Sequence, residues 1–271
     1  MREVTFAAIQ YACGAPGSLD AAERLVREAA EAGADVVLLP ALFETPYFCK
    51  TQEEKLLGLA RPIEGNAVVE RFSAIAGERG IVLPISLYEA DGPTCYASTA
   101  VIYADGAMLG VHRQAHVPQR PGRAERFYFA PGGTPRAWET AHGTVGIAAG
   151  HDIRFPEVAR TLALAGAEAL LCPVAEAAAP LGVVAAGHAA ANAMPVLAAN
   201  RTGFEAQRDV EATFPGGSLL LDADGAVLAA AEEEEAIALG AVDLDRTRDV
   251  RRRSGLFADR RPELYGRLTR Q

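Results

Sequence analysis

A chain of 271 residues, half of them hydrophobic, can bury one substantial core, and no Gly/Ser- or Pro-rich linker divides it. A formal net charge of −9 and a pI near 5.2 argue against nucleic acid or an anionic membrane surface as partner. With no basic-then-apolar start, no membrane-length apolar run and four cysteines (Cys13, Cys49, Cys95, Cys172) outside any metal-type spacing, the expectation is a cytoplasmic protein with reduced thiols.

The chain opens on an apolar, β-prone run, Val4 to Gln10. Ser18 is a candidate N-cap for a helix with Leu19, Ala22, Leu25, Val26 and Ala29 at helical spacing. That helix stops at Gly33, and Val36 to Leu39 reads as a buried strand ending at Pro40. A helix over 67–79 and a strand over 81–87 repeat the alternation. Ala97 to Tyr103, a turn at Asp105-Gly106 and Met108 to Gln114 make a β-hairpin.

The stretch Thr144 to Glu157 is a short apolar run, a tight turn at Gly150 and a helix beginning at Pro156. A strand–turn–helix of this kind can hold a reactive side chain above a sheet edge, but glycine sits on the turn. The phrase Gly166-Ala167-Glu168-Ala169-Leu170-Leu171-Cys172-Pro173 echoes Gly33-Ala34-Asp35-Val36-Val37-Leu38-Leu39-Pro40. Two such halves predict internal pseudo-symmetry, with sheet packed on sheet and helices outside. A helix near 183–193, a strand 196–200 and late strands at 218–221, 226–230 and 236–242 follow. Glu232 to Glu235 reads as a solvated turn. The anchors of the C-terminal segment, from about residue 245 to 271, predict docking on the body or on a partner subunit.

Several stretches together resemble the nitrilase (carbon–nitrogen hydrolase) superfamily, in particular its N-carbamoylputrescine amidase branch. They are Leu42-Phe43-Glu44-Thr45-Pro46-Tyr47-Phe48, His116-Val117-Pro118, Glu125 to Gly132, Phe155-Pro156-Glu157, Gly187 to Asn192 and Asn200-Arg201-Thr202-Gly203. The resemblance covers nearly the whole length. It implies a single-domain α/β protein, an αββα sandwich, associating as a homodimer or higher homo-oligomer, with no cofactor. Enzymes of the family use a Glu-Lys-Cys triad. The three matching positions here hold Ala41, Gln114 and Gly150. Without a thiolate there is no covalent acyl-enzyme, Ala41 transfers no proton, and Gln114 offers a hydrogen bond without positive charge. The resemblance also implies a pocket wall after Pro173, yet Val174 to Pro180 carries few polar or aromatic groups.

Glu125 matches an additional family glutamate and is an acid/base candidate, with a structural ion pair as the alternative. Glu44 is a pocket candidate whose other reading is to hold the loop. His112, Gln114 and His116 alternate along one strand and share a face. That spacing also suits zinc, but His116 matches a histidine of metal-free family enzymes, and no metal is expected. His151, new at the turn, is a proton-transfer candidate, with Asp152 and Arg154 beside it. The expectation is therefore a small-molecule pocket that has lost Cys-dependent hydrolysis and runs non-hydrolytic acid/base chemistry through His151, Glu125 and Gln114. The alternative is an inactive binding or scaffold subunit.

Overall fold

Burial along the first strand sets the layering. In β1 (Glu3–Gln10) Val4, Phe6 and Ala8 belong to one buried cluster while Ala7 and Ile9 belong to another, as the twofold period of a strand requires. The same split recurs in β2 (Val36–Leu38), where Val36 and Leu38 face one way and Val37 the other. A strand buried on both faces reads as a continuous apolar run, which is why these segments stand out in the sequence.

The computed structural model describes residues 2–177 and 181–269. After β1 come α1 (Ser18–Glu31), β2, α2 (Ala67–Arg79), β3 (Leu83–Asp91), β4 (Thr94–Ile102), β5 (Met108–Arg113) and the single turn α3 (Glu125–Tyr128). The second half holds β6 (Ala137–Thr140), β7 (Gly143–Ile147), α4 (Pro156–Leu164), β8 (Ala169–Pro173), α5 (Leu181–Asn192) and β9 (Val196–Ala199). It ends with β10 (Thr202–Gln207), β11 (Val210–Pro215), β12 (Leu219–Leu221), β13 (Val227–Ala230), β14 (Ala236–Asp243) and α6 (Leu244–Arg253).

One sheet runs β14-β1-β2 and continues into β3-β4-β5 through the Val36–Val82 bridge. The other runs β6-β7-β8-β9-β12-β13. Each has an antiparallel edge strand, then parallel central strands, then an antiparallel pair, so the repeated Gly-Ala corner reflects a repeated topology. Phe6, Ala8, Val36 and Leu38 meet Val145, Ile147, Leu171 and Leu197 between the sheets. Helices α1 and α2 cover the first sheet, with Leu25, Val26 and Phe72 buried, and α4 and α5 cover the second, with Leu162 and Ala185 buried. This is the αββα sandwich expected.

The differences from expectation are local. Ser18 does not cap α1: Gly17, at φ 81°, takes that place without a side-chain bond, and Ser18 is the first helical residue. Helix α2 keeps its expected bounds because Asn66 accepts from the Val68 and Val69 amides at 2.9 and 3.3 Å, and Gly80 closes it at φ 67°. Strand β3 begins later than expected and runs on to Asp91. Glu89 is tolerated there because Arg113 reaches it with two bonds of 2.6 and 2.8 Å. The hairpin β10–β11 went unpredicted because its residues are half exposed and mixed in polarity. Near the C-terminus Phe257 packs on the core beneath α4 and α5, while Leu264 and Leu268 remain about two-thirds exposed.

Phe6, 1% exposed between the sheets, tests the layering. Phe6→Ala should cost about 3–5 kcal/mol of stability, read as a lower midpoint in urea unfolding with an unchanged slope. A cost under about 1 kcal/mol would contradict a filled inter-sheet layer.

Candidate active site

The C-terminal ends of strands from both sheets deliver the candidate residues. Ala41 and Leu42 follow β2, Gln114 follows β5, Gly150 follows β7, and Ala175 and Glu176 follow β8. In α/β sheets this is the end where loops diverge and a crevice opens. Helix α3 places Glu125 over the same point. Ala41, Gln114, Glu125 and Gly150 thus line one small enclosed cavity of about 10 Å³, joined by Tyr47, Ser86 and Arg123.

Both oxygens of Glu125, itself 4% exposed, are held. The Tyr47 hydroxyl donates to Oε1 at 2.5 Å and the Gln114 amide donates to Oε2 at 2.8 Å. Gln114 Nε2 also donates to the His116 carbonyl at 2.8 Å. Burial, followed by the charge of Glu125, pushes the Tyr47 hydroxyl well above its ordinary range, so it remains a donor. Gly150 sits at φ 53°, and a Cβ built on it would lie 2.1 Å from Gln114 Oε1. The Gln114 amide therefore occupies the space into which a side chain at 150 would project.

No thiol lines this cavity. Cys49 and Cys172 are buried and burial drives both thiols upward, while Cys13 is pushed up to about 11 by the same cause.

The cavity lies against a broader, open basin of about 800 Å³, and Tyr47, Arg123 and Ala175 line both. Lys50, Arg120, His151, Arg154 and Glu176 belong to the basin alone. Arg123 donates to the Ala175 carbonyl at 2.5 Å and pairs with Glu176 at 2.6 Å. Arg154 meets the other Glu176 oxygen at 2.9 Å. Burial first, then the charges of Arg123 and Arg120, hold the His151 imidazole below its usual pKa, so it is neutral near pH 7.

The other expected pocket residues lie elsewhere. Asp152 is fully buried and accepts from the Ala115 amide at 3.0 Å and from the His116 amide and Nδ1 at 2.8 Å each. His112 approaches it at 3.4 Å, and His116 stacks on Phe155 with ring centroids 3.7 Å apart. These three form a knot that ties the loop after β5 to the turn after β7, and none of them lines the cavity or the basin. Glu44 borders a separate groove with Arg61, where burial raises its carboxyl. Tyr47, Arg120, Arg123 and Glu176 were not singled out from sequence. Of the stretch after Pro173 expected to form a thin pocket wall, Ala178, Ala179 and Pro180 lie outside the described residues.

The carbon–nitrogen hydrolase family pattern matches residues 5–252. The chain belongs to that family. It is 40% identical to an N-carbamoylputrescine amidase of Solanum tuberosum, across 97% of this chain and 94% of that protein. It is also 40% identical to a citrullinase of Francisella tularensis subsp. tularensis, across 92% and 91%. The fold matches a carbon-nitrogen hydrolase from Helicobacter pylori with a TM-score of 0.93 at 30% identity, covering 99% of each chain.

These relatives overturn the expectation of a non-hydrolytic pocket or an inactive subunit, because relatives matched over nearly the full length are hydrolytic amidases. That expectation weighed single side chains at positions 41, 114 and 150, and full-length similarity to hydrolases outweighs it.

Two measurements test the geometry. Gly150→Ala should cost about 2–3 kcal/mol, from the left-handed backbone and the displaced Gln114 amide. Combined with Gln114→Ala, the loss should be smaller than the sum of the two by more than about 0.5 kcal/mol; additive losses would contradict the contact. For Asp152, burial raises the pKa but the bonds from His112, Ala115 and His116 bring it below the ordinary aspartate value. Its contribution is present above about pH 4 and is lost as the pH falls through the lowered folded value. The stability gap between the parent and Asp152→Asn should therefore narrow in acid unfolding curves below that pH, and a gap that is constant with pH would refute the assignment.

Proposed function

We propose that the chain hydrolyses the carbon–nitrogen bond of a small ureido or amide compound, with a water held against Glu125 as the attacking group. The cavity carries this reading. About 10 Å³ beside a fixed carboxylate is room for about one water molecule, and the relatives' names, N-carbamoylputrescine amidase and citrullinase, both denote attack on a carbamoyl or ureido group. The four thiols, free and mostly buried, suit a reducing compartment, which supports a cytoplasmic setting.

In this mechanism the carbamoyl head enters from the basin as the Arg123 side chain, which lines both spaces, shifts to admit it. The water oxygen forms a bond to the carbonyl carbon while its proton passes to Glu125. Negative charge collects on the carbonyl oxygen, opposite the Arg123 guanidinium. As the carbon–nitrogen bond breaks, Glu125 returns the proton to the departing nitrogen, which leaves a ureido substrate as ammonia. The remaining carbamate loses carbon dioxide to give the amine. Gln114 and Tyr47 hold the carboxylate in place throughout, and no covalent intermediate forms.

Ammonia release from N-carbamoylputrescine, citrulline and a simple aliphatic amide is the direct test. Turnover should persist after iodoacetamide treatment, and Glu125→Gln should lower kcat by about 100-fold or more. No release above the uncatalysed background from any of the three would overturn the function. Loss of turnover in step with cysteine alkylation would keep hydrolysis and refute the water mechanism.

A further inference from the structure

The basin differs in charge from the chain that contains it. Four cations line it, Lys50, Arg120, Arg123 and Arg154, against the carboxylates Glu176 and Glu211. Lys50 is answered by Glu205 at 2.8 Å, just outside the lining. Arg123 and Arg154 share the single carboxylate of Glu176, at 2.6 and 2.9 Å. Arg120 is exposed, and its side chain has no ion-pair or hydrogen-bond partner among the described residues. Among the lining side chains four positive groups face two negative ones, and with Arg201, Glu205 and Glu125 behind them the count is five to four, on a chain whose formal net charge is −9.

His151 stands within this field. Its Nδ1 is buried and has no hydrogen-bond partner among the described residues, and its ring meets Phe155 edge-on with centroids 5.5 Å apart. The guanidiniums of Arg123, Arg120 and Arg154 act on it, opposed by Glu176. A neutral imidazole can donate one hydrogen bond without adding charge. Arg120 and the nitrogens of Arg154 not engaged with Glu176 can form charge-assisted bonds to a planar anion.

We propose that the basin recognises a carboxylate on the substrate, held by Arg120 and Arg154 with His151, while the carbamoyl or amide head reaches the cavity at Glu125. The substrate class is thus an ω-ureido or ω-amido acid, and a tail ending in a cationic amine is disfavoured. The assignment of the head to Glu125 rests on the proposed hydrolysis; the preference for an acidic tail rests on the basin alone. Charge selection here works by repulsion as well as attraction, since a tail ammonium would face Arg120 with no carboxylate bonded to it.

Three probes of similar length separate the tail from the head: 4-ureidobutyrate, butylurea and N-carbamoylputrescine. Their binding to the full chain is measured by calorimetry at low salt, and ammonia is assayed in the same samples. The acid should bind at least tenfold tighter than butylurea, and the amine more weakly than butylurea. Arg120→Gln should remove most of the acid's advantage, and Arg120→Glu should reverse the order of acid and amine; position 120 is exposed, so neither change disturbs the core. Amine binding equal to or tighter than acid binding, or no binding by any probe, would overturn the carboxylate site. Tight binding of the acid without ammonia would uphold the site and refute only the proposed hydrolysis.

Discussion

One buried guanidinium holds the loop on which the cavity depends. Arg201, fully buried, donates to the carbonyls of Ala41 and Leu42 at 2.7 and 3.0 Å and to that of Thr45 at 3.2 Å. Its charge is met by Glu205 at 2.7 Å, whose other oxygen accepts from the Tyr47 amide and from Lys50. A buried cation is tolerated only when its charge and donors are answered, and here carbonyls that would otherwise lack partners answer them. Leu42, at φ 51°, is a left-handed non-glycine residue, a conformation that persists only where surrounding contacts over-determine it. Arg201 thus gathers three carbonyls of the loop after β2, which the Ala41 amide's bond to the Val174 carbonyl and the Leu42 amide's bond to Ser86 also fix.

A second knot does the same for the opposite wall. Asp152 gathers two amides and an imidazole from the segment after β5, so the Gln114 side chain and the Gly150 turn are registered against each other. Each wall of the cavity is therefore fixed by a buried charge that gathers backbone groups from a neighbouring loop. Glu125 is then held by two neutral donors, the Tyr47 hydroxyl and the Gln114 amide.

Much of the architecture was legible in the sequence. The continuous apolar runs at Val36–Leu39 and Ala169–Pro173, each after a Gly-Ala corner, correspond to central parallel strands in two sheets of matching order. The hairpin β10–β11 was not legible, because half-exposed strands lack a decisive period. Ala41, Gln114, Glu125 and Gly150 could be placed through the order of motifs, and they do converge. Arg123 and Glu176 could not, because their pairing joins segments far apart in the chain and no local pattern announces it. The histidines misled in the other direction: β5 ends at Arg113, so Gln114 and His116 leave from the loop beyond it and share no strand face with His112; both histidines meet buried Asp152 while Gln114 meets Glu125. The non-hydrolytic expectation gave the side chains at positions 41, 114 and 150 more weight than a resemblance to hydrolases along nearly the whole chain, and the relatives named N-carbamoylputrescine amidase and citrullinase overturn it.

The hairpin β10–β11 forms a two-stranded sheet of its own, outside both large sheets. It nonetheless supplies Val210 to Phe214 to the basin wall and Glu205 to the Arg201 clamp. Its outer half, from Val210 to Thr213, can therefore change in shape and charge while the sandwich and the carboxylate cavity stay as they are. Framework and this part of the basin wall thus belong to separate pieces of the chain, and substitutions over 210–213 can reshape the basin at little cost to folding.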